Sequence, residues 1–428
     1  MKQGILLLIL LAIGCKAINE RELERGRASL PPTDLVDPAA VADHPFVNAP
    51  DIYSFAEKVR KDKQKTKPDK IYNLLAISGG GSYGAYCAGV LCGWTDAGTR
   101  PVFDVVTGVS TGGLVATLAF LGPEYDVHLK RVYTTLRNED IFKMLRPVRA
   151  ALFGSSLADN APLAVQIDQT MTEQAFQGVA AAHAQGRRLY VGTTNIQSKL
   201  VVTWDMGAIA SRNDAASRKL FKQILLASAA IPGFFPPQKI DITVDGVPYQ
   251  ELHVDGGATS AFLVRSPPED TAAKGQATMT GSNLYVLVAG KLYADQDAVR
   301  SRTYTIAANA ISSILYSLTR SQLNEAYNAT MLLGMNYYMS AIPPDFKAPL
   351  SSTDFNPEEM GRMFDEGYRL TIEKRVWQSK PVYLEEQPQM RKRTGTALTQ
   401  GPKKQATATE GVPVPGPDAT GPTPPTAK

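Results

Sequence analysis

The amino-acid sequence predicts an α/β fold with a mainly parallel central sheet that is covered by helices on both faces. The chain has 428 residues, of which 44% are hydrophobic and 20% are charged, a composition typical of a globular protein with a sizeable core. From Ile71 onward, apolar runs typical of strands alternate with stretches typical of helices. This alternation indicates parallel strands joined by crossover helices.

The first predicted strand is IYNLLAIS, which starts at Ile71 and is followed by a helix that ends at Asp96. The next strand, VFDVVTGVS, leads into a predicted helix over Thr111–Leu121. The runs RLYVGTTNI and LVVTWDM are joined by a short polar turn, which predicts a β-hairpin. A further buried strand is predicted for LYVLVAG, Leu284–Gly290.

The last third of the domain is predicted to be largely helical. The segment Arg300–Ser340 has a helical pattern, which predicts one long helix or two helices broken near Gly334. A final amphipathic helix is predicted over Pro357–Arg375, with Asn356 or Asp354 as its N-cap.

The N-terminus has the pattern of an export signal. Its apolar run, Ile5–Ile13, is too short for a mature membrane span, which needs roughly 20 residues. The sequence Ala-Ile-Gly-Cys ending at Cys15 resembles the bacterial lipoprotein box, which predicts a signal peptide over 1–14 and lipidation of Cys15. The alternative is an ordinary signal peptide with an incidental cysteine. Lys16 after the cysteine favours the outer membrane, if the host has one.

Composition divides the rest of the chain into three parts. Residues 15–70 are polar and rich in proline, and we interpret them as a tether and an N-terminal cap. Residues 71–380 carry the strand and helix patterns of the folded domain. Residues 381–428 are rich in Pro, Thr and Gly and are expected to be disordered. The formal net charge of +4 is small for this length and does not indicate a nucleic-acid partner.

A Gly-x-Ser-x-Gly motif lies between a predicted strand and a predicted helix, with Ser110 at its centre. This is the position of a nucleophile elbow, in which the turn is so sharp that only glycine fits two residues before and two residues after the serine. The hydroxyl is then held at the N-terminus of a helix, whose dipole favours developing negative charge. The sequence therefore predicts Ser110 as a nucleophile.

A glycine-rich loop follows the first strand, and its spacing Gly79-x-Gly81-x-x-Gly84 matches the dinucleotide-binding fingerprint. That function requires an acidic residue at the end of the second strand. Asp104 has about the expected separation but stands at the start of that strand, which leads into Ser110 instead. We therefore interpret the loop as a set of free backbone amides suited to an oxyanion.

Two residues are candidates for the base that would activate the serine, and Asp255 is favoured over His253. Of four histidines, His253 is the last in the chain, and it lies two residues before Asp255 in the run ELHVDGG. In a strand these two side chains point to the same face. Asp-Gly-Gly is often only a turn, but a carboxylate within hydrogen-bond reach of the serine could also act as the base.

Four blocks, in this order, resemble the patatin-like phospholipase family. They are SGGGSYGAYCAGVL from Ser78, GVSTGG from Gly108, ASAAIPGFFPP from Ala227 and DGG from Asp255. The resemblance extends over roughly Ile71 to Trp377. It implies a three-layer α/β/α fold, an activity on acyl esters of lipids, and catalysis without a metal or organic cofactor. By position, it implies that Ser110 is the nucleophile, that Asp255 is the base, and that the amides of Gly79, Gly80 and Gly81 form the oxyanion hole.

The sequence departs from the family pattern in the glycine loop. The family usually has a basic residue before the last glycine of this loop, and here that residue is Tyr83. We expect this change to affect the preference for the lipid headgroup more than catalysis. Phe234, Phe235 and Pro236 in the third block are expected either to shape the approach to the site or to pack in the core.

Taken together, the sequence predicts a lipid-anchored envelope serine hydrolase of the phospholipase A or lysophospholipase type. Its domain over 71–380 would act on phospholipids or other acyl lipids, and lipidated Cys15 would attach it to the membrane. Two alternatives remain open. One is a general esterase or acyltransferase that acts on substrates outside the membrane, and the other is a non-catalytic envelope binding protein. The oligomeric state is also left open.

Overall fold

A computed structural model of the protein describes residues 70–145, 156–244, 247–264, 279–294, 303–349 and 351–381, without the side chains of 243–244, 247–249 and 303–311. The predicted signal peptide, the predicted lipidation site Cys15 and all but the last residue of the predicted tether lie outside the described residues. So does the predicted disordered tail from residue 382 onward. Within the described ranges, no helix has both the length and the apolar character needed to cross a bilayer.

The described strands belong to a large sheet and a small two-stranded ribbon. They are β1 Asn73–Ile77, β2 Val105–Val109, β3 Lys143–Met144, β4 Ala158–Asp159, β5 Arg188–Asn195, β6 Leu200–Asp205, β7 Gln238–Val244, β8 Val247–Asp255, β9 Asn283–Leu287 and β10 Asn336–Ser340. The large sheet has the order β10-β9-β1-β2-β5-β8-β7, and β6 pairs with β5 outside this path. The pairs from β10 to β5 are parallel, while β6, β7 and β8 are added in antiparallel orientation.

Helices flank the sheet, as the sequence predicts. They are α1 Gly84–Asp96, α2 Thr111–Leu121, α3 Asp126–Thr135, α4 Asn138–Ile141, α5 Ala161–Thr170, α6 Glu173–Ala184, α7 Met206–Ser211, α8 Ala215–Ser228, α9 Thr303–Leu333 and α10 Pro357–Ile372. The predicted α/β fold class with a mainly parallel central sheet is confirmed.

The first strand shows why its sequence is almost entirely apolar. Successive side chains of a strand point to opposite faces of the sheet. Leu75 and Ile77 therefore face one side and Leu74 and Ala76 the other, and all four are only 1% exposed. Both faces of β1 are thus covered, as expected for a parallel strand at the centre of a sheet.

The final helix α10 packs closely against α1 because each helix has a glycine at the contact. A Cβ atom on Gly89 would lie 1.9 Å from the carbonyl oxygen of Phe364, and one on Gly367 would lie 2.4 Å from that of Tyr86. Of the two predicted N-caps, Asn356 is the one used, since its side chain accepts a hydrogen bond from the amide of Glu358 at 2.9 Å.

The predicted hairpin is present as β5 and β6, but the predicted helix after Arg300 ends earlier than expected. The helix α9 stops at Leu333, and Gly334 has a φ of +70°, the left-handed conformation that ends many helices. The next residues, Asn336–Ser340, form β10 and pair in parallel with β9. The prediction of helix up to Ser340 is therefore wrong beyond Gly334, because pairing with β9 determines the conformation there.

Candidate active site

Ser110 occupies a sharp turn between β2 and α2. Its φ of 57° and ψ of −131° are strained for a residue that is not glycine. A Cβ atom on Gly108 would lie 2.1 Å from the carbonyl oxygen of Gly112, and one on Gly112 would lie 2.5 Å from that of Ile77. Both glycines of the motif are therefore required by close backbone contacts, and Ser110 is presented at the N-terminus of α2.

The pairing along β5 brings Asp255 to this turn. In β2, Val109 lies opposite Gly192 of β5, and in the antiparallel β8, Asp255 lies opposite the next residue, Thr193. Because β6 pairs along the other edge of β5, the carboxyl ends of β2 and β8 meet end to end on one edge. The Ser110 hydroxyl donates a hydrogen bond to Oδ2 of Asp255 at 2.6 Å, and both residues are buried.

The environment of Asp255 makes its carboxyl group a stronger base than an ordinary aspartate. Burial raises the pKa of Asp255 to about 6, although hydrogen bonds from the Ser110 hydroxyl and the Gly257 amide favour the ionised form. The Gly257 amide donates to Oδ1 at 2.8 Å, so Oδ2 remains directed at Ser110. At neutral pH most of the carboxyl group is ionised and can accept a proton.

Ser228 supports the turn from the far side, a role for which the sequence alone has no signal beyond its place in the third family-like block. Its hydroxyl accepts a hydrogen bond from the Ser110 amide at 2.9 Å and donates one to the Gly192 carbonyl at 2.7 Å. The residue is fully buried. It satisfies two backbone groups that would otherwise be buried without a partner, and thereby helps to hold Ser110 in its strained conformation.

His253, the other candidate base, is engaged elsewhere. It is fully buried, with Nδ1 2.9 Å from the Thr193 hydroxyl oxygen and Nε2 2.9 Å from Oε2 of Glu251. The Trp204 indole donates to the same Thr193 hydroxyl at 2.8 Å. Both ring nitrogens of His253 are therefore used within its own network, while the Ser110 hydroxyl bonds to Asp255.

Replacement of His253 by glutamine is expected to lower stability but to preserve turnover. Loss of its hydrogen bonds to Thr193 and Glu251 should reduce the free energy of unfolding by roughly 1–3 kcal/mol. We expect kcat to stay within about threefold of the wild-type value, because His253 exchanges no proton with Ser110. Thermal unfolding and ester hydrolysis measured on the same sample test both parts. A kcat that falls more than about 100-fold in a folded variant would indicate that His253 is the base.

The glycine loop lies directly against Ser110. A Cβ atom on Gly79 would be 2.9 Å from Cβ of Ser110, and one on Gly80 would be 1.8 Å from the carbonyl oxygen of Ala289. Gly81 has a φ of +54°, which favours glycine. Within the described part of the chain, the amides of these three glycines donate no hydrogen bond. They are thus available to an oxyanion, and their assignment as an oxyanion hole stays a prediction.

Asp104 lies at the opposite end of β2 from Ser110. Its carboxylate accepts a hydrogen bond from the Asn73 amide at 2.9 Å and forms an ion pair with Lys70 at 2.8 Å. These contacts join the starts of β1 and β2, away from the glycine loop that follows the end of β1. Its position therefore agrees with the rejection of the dinucleotide interpretation.

An apolar pocket of about 890 Å³, a volume that includes its open mouth, begins at Ser110. Its walls come mainly from α2, α3, α5 and the segment before α10, and include Leu118, Val132, Ile167 and Phe355. Phe235 also lines the pocket, whereas Phe234 packs beside it against Phe142 with ring centroids 5.1 Å apart. None of the described residues that line the pocket is charged.

Tyr83 puts a neutral side chain where the family usually has a positive charge. Its hydroxyl donates a hydrogen bond to the carbonyl oxygen of Pro349, so the side chain joins the glycine loop to the segment before α10.

Among the described residues, no group of three His, Cys, Asp or Glu side chains is arranged to hold a metal ion.

The comparison with protein families agrees with the sequence motifs. Residues 75–268 match the family model described as patatin-like phospholipase. Among solved structures, the chain is similar to VipD from Legionella pneumophila, with 13% sequence identity and a TM-score of 0.32 over 72% of this chain and 68% of that chain. No curated protein matches the sequence.

Proposed function

We propose that this protein cleaves acyl esters of membrane lipids with Ser110 and Asp255, as expected from the match of residues 75–268 to the patatin-like phospholipase family, whose members are lipid acyl hydrolases. The observation that carries the proposal is the 2.6 Å hydrogen bond between Ser110 Oγ and Asp255 Oδ2 at the end of an apolar pocket. A nucleophile and a base must be within this distance for direct proton transfer.

In the first half of the proposed reaction, the acyl chain of the substrate occupies the apolar pocket and its ester carbonyl lies beside Ser110. Asp255 accepts the hydroxyl proton as Ser110 Oγ attacks the carbonyl carbon. The negative charge that develops on the carbonyl oxygen is stabilised by the amides of Gly79, Gly80 and Gly81 and by the N-terminus of α2. The C–O bond to the alcohol then breaks, the alcohol takes the proton from Asp255, and an acyl ester on Ser110 remains.

In the second half, water replaces the alcohol. Asp255 accepts a proton from the attacking water, the same loop stabilises the second oxyanion, and Ser110 recovers its proton when the fatty acid leaves. The base is thus returned to its starting state without any other proton carrier. An acyl acceptor other than water would give acyl transfer by the same steps.

The pH dependence of hydrolysis follows from the raised pKa of Asp255. Because only the ionised carboxylate can accept the proton, kcat/KM is expected to fall about tenfold per unit below pH 6 and to level off above it. A profile measured with a soluble ester between pH 4.5 and 9 tests this expectation, with protein stability verified at each pH. Full activity at pH 4.5 would contradict the role of Asp255 as base.

The nature of the substrate can be tested by comparing a long-chain phospholipid with a short-chain ester. The absence of charge at Tyr83 and along the described pocket lining leads us to expect hydrolysis of phospholipids and lysophospholipids with little headgroup preference. Activity confined to the short ester would contradict a membrane-lipid substrate. Failure of a fluorophosphonate probe to label intact protein, with Ser110→Ala as the negative control, would contradict a serine hydrolase.

The proposed site of membrane attachment is Cys15, which would bring the enzyme to its substrate at the cell envelope, on the outer membrane if the host has one. Support comes from the lipoprotein-like pattern at the N-terminus. Incorporation of labelled fatty acid into the wild-type protein, and its loss in Cys15→Ala, is the expected result. Equal membrane association of both proteins would contradict this attachment.

A further inference from the structure

We propose that residues Ser351–Asn356, here named the strap, complete the active site, and that Tyr83 and Asn138 are the positioning residues that hold the strap in place. The strap lies outside the region that matches the family model, between β10 and α10. The inference rests on the proposed function, because it concerns the glycine loop and the acyl pocket of that site.

The N-terminal end of the strap is hydrogen-bonded to the glycine loop. The Ser82 amide donates a hydrogen bond to the carbonyl oxygen of Ser352 at 2.8 Å, and the Tyr83 hydroxyl donates to the carbonyl oxygen of Pro349, just before the strap. The contact with Gly81 is so close that a Cβ atom there would lie 2.1 Å from the Ser352 carbonyl oxygen. Gly81 therefore has its left-handed conformation, with a φ of +54°, where its backbone is in direct contact with the strap.

Among the described residues, it is the side chain of Asn138 that holds the other end of the strap by hydrogen bonds. Oδ1 of Asn138 accepts a hydrogen bond from the Phe355 amide at 2.8 Å, and its Nδ2 donates to Oδ1 of Asp354 at 3.1 Å. Asn138 begins the short helix α4, whose last residue, Ile141, lines the pocket. One carboxamide thus joins the strap to a pocket wall that lies more than 200 residues earlier in the chain.

Between these two attachments the strap forms part of the pocket itself. Ser352, Thr353 and Phe355 line the same pocket as Ser110 and Gly81. A shift of the strap would therefore change two things. At the Tyr83 end it would move the loop whose amides face the developing charge, and at the Asn138 end it would change the space for the acyl chain.

Substitutions at the two ends of the strap are expected to have different kinetic effects. Tyr83→Phe should lower kcat roughly tenfold for both butyryl and decanoyl p-nitrophenyl esters, because every ester uses the same oxyanion amides. Asn138→Ala should raise KM roughly fivefold for the decanoyl ester and less than twofold for the butyryl ester, because only the long chain reaches the wall. A merely structural role would lower stability without this division between kcat and KM.

A matched control removes a tyrosine hydroxyl that donates a hydrogen bond outside the pocket. Tyr368 on α10 donates a hydrogen bond to Asp96 at 2.8 Å and is not part of the pocket lining. Tyr368→Phe should match the wild-type kcat and KM for both esters. Thermal unfolding of all variants shows whether each is folded under the assay conditions.

Hydrogen exchange provides a measurement that does not depend on activity. The amides of Ser82 and Phe355 should exchange faster in Tyr83→Phe and Asn138→Ala, respectively, than in the wild-type protein. If the wild type is active and both variants match it in kinetics and exchange, the role of the strap is wrong while the proposed function stands. If the wild type hydrolyses neither these esters nor a long-chain phospholipid, the proposed function is wrong, and the exchange rates alone support or overturn the strap.

Discussion

Replacement of Asp255 by asparagine is expected to lower kcat by roughly 10³- to 10⁴-fold, because the amide cannot accept the proton that Ser110 must lose. Asparagine has nearly the same shape, and its oxygen can still accept the hydrogen bond from the Gly257 amide. The loss should therefore be one of chemistry and not of folding. Steady-state hydrolysis of a soluble ester, with circular dichroism of the same samples, measures both.

The same substitution should have an effect on stability that depends on pH. Because the folded-state pKa of Asp255 is raised to about 6 from its ordinary value of 3.8, its contribution to stability is greatest below the unfolded value and is lost as the pH rises through about 6. Asp255→Asn has no such ionisation. It should unfold at a higher temperature than the wild type at pH 8, and this advantage should disappear near pH 4.

Ser110→Ala serves as the reference for this prediction. If Ser110 and Asp255 act as one unit, the double variant should be no less active than Ser110→Ala alone. An Asp255→Asn variant that keeps more than about a tenth of the wild-type kcat would contradict the Ser–Asp dyad.

Replacement of Gly80 by alanine is expected to lower kcat by about 100-fold or more, which is the effect of losing one oxyanion donor. The added Cβ atom would lie 1.8 Å from the carbonyl oxygen of Ala289 and 2.8 Å from its Cβ atom. The closer atom belongs to the backbone just after β9, so the glycine loop must shift from its position beside Ser110. Steady-state kinetics of the purified variant, together with its unfolding temperature, test this prediction.

Gly361→Ala is the matched control for this substitution. Gly361 lies within α10, where an added Cβ atom has no neighbour within 4 Å. Alanine there should leave kcat at the wild-type value and raise the free energy of unfolding by roughly 0.4–1 kcal/mol. Wild-type kcat in Gly80→Ala would exclude the loop as a source of oxyanion stabilisation.

The elements that the sequence predicts correctly are those whose signal is local. The turn at Ser110 requires glycine at 108 because Gly108 lies against the backbone of Gly112 within the same five residues, whereas the close contact of Gly112 is with the carbonyl oxygen of Ile77 at the end of β1. The buried strand β1 and the hairpin of β5 and β6 are likewise marked by their own apolar runs and the turn between them. By contrast, the apolar run after Gly334 has no local feature that reveals β9 as its partner, and the sequence alone extends the helix through it.

The active site likewise has some features with a local sequence signal and others that depend on distant parts of the chain. The sequence by itself determined that a serine is held between a strand and a helix, near a glycine loop with free amides. It favoured Asp255 over His253, which lies two residues away on the same face of a strand, but it could not show which of the two is within reach of Ser110. That choice depends on how β2 and β8 align along β5, which places Asp255 beside Ser110 and leaves His253 with Thr193 and Glu251.

The strap shows the same limit more clearly, since its contacts with the glycine loop join segments about 270 residues apart in the chain. Only the tertiary structure could decide these contacts, because strand register and loop packing depend on partners that are distant in sequence. Local sterics and hydrophobic patterns, which a sequence displays directly, determined the rest.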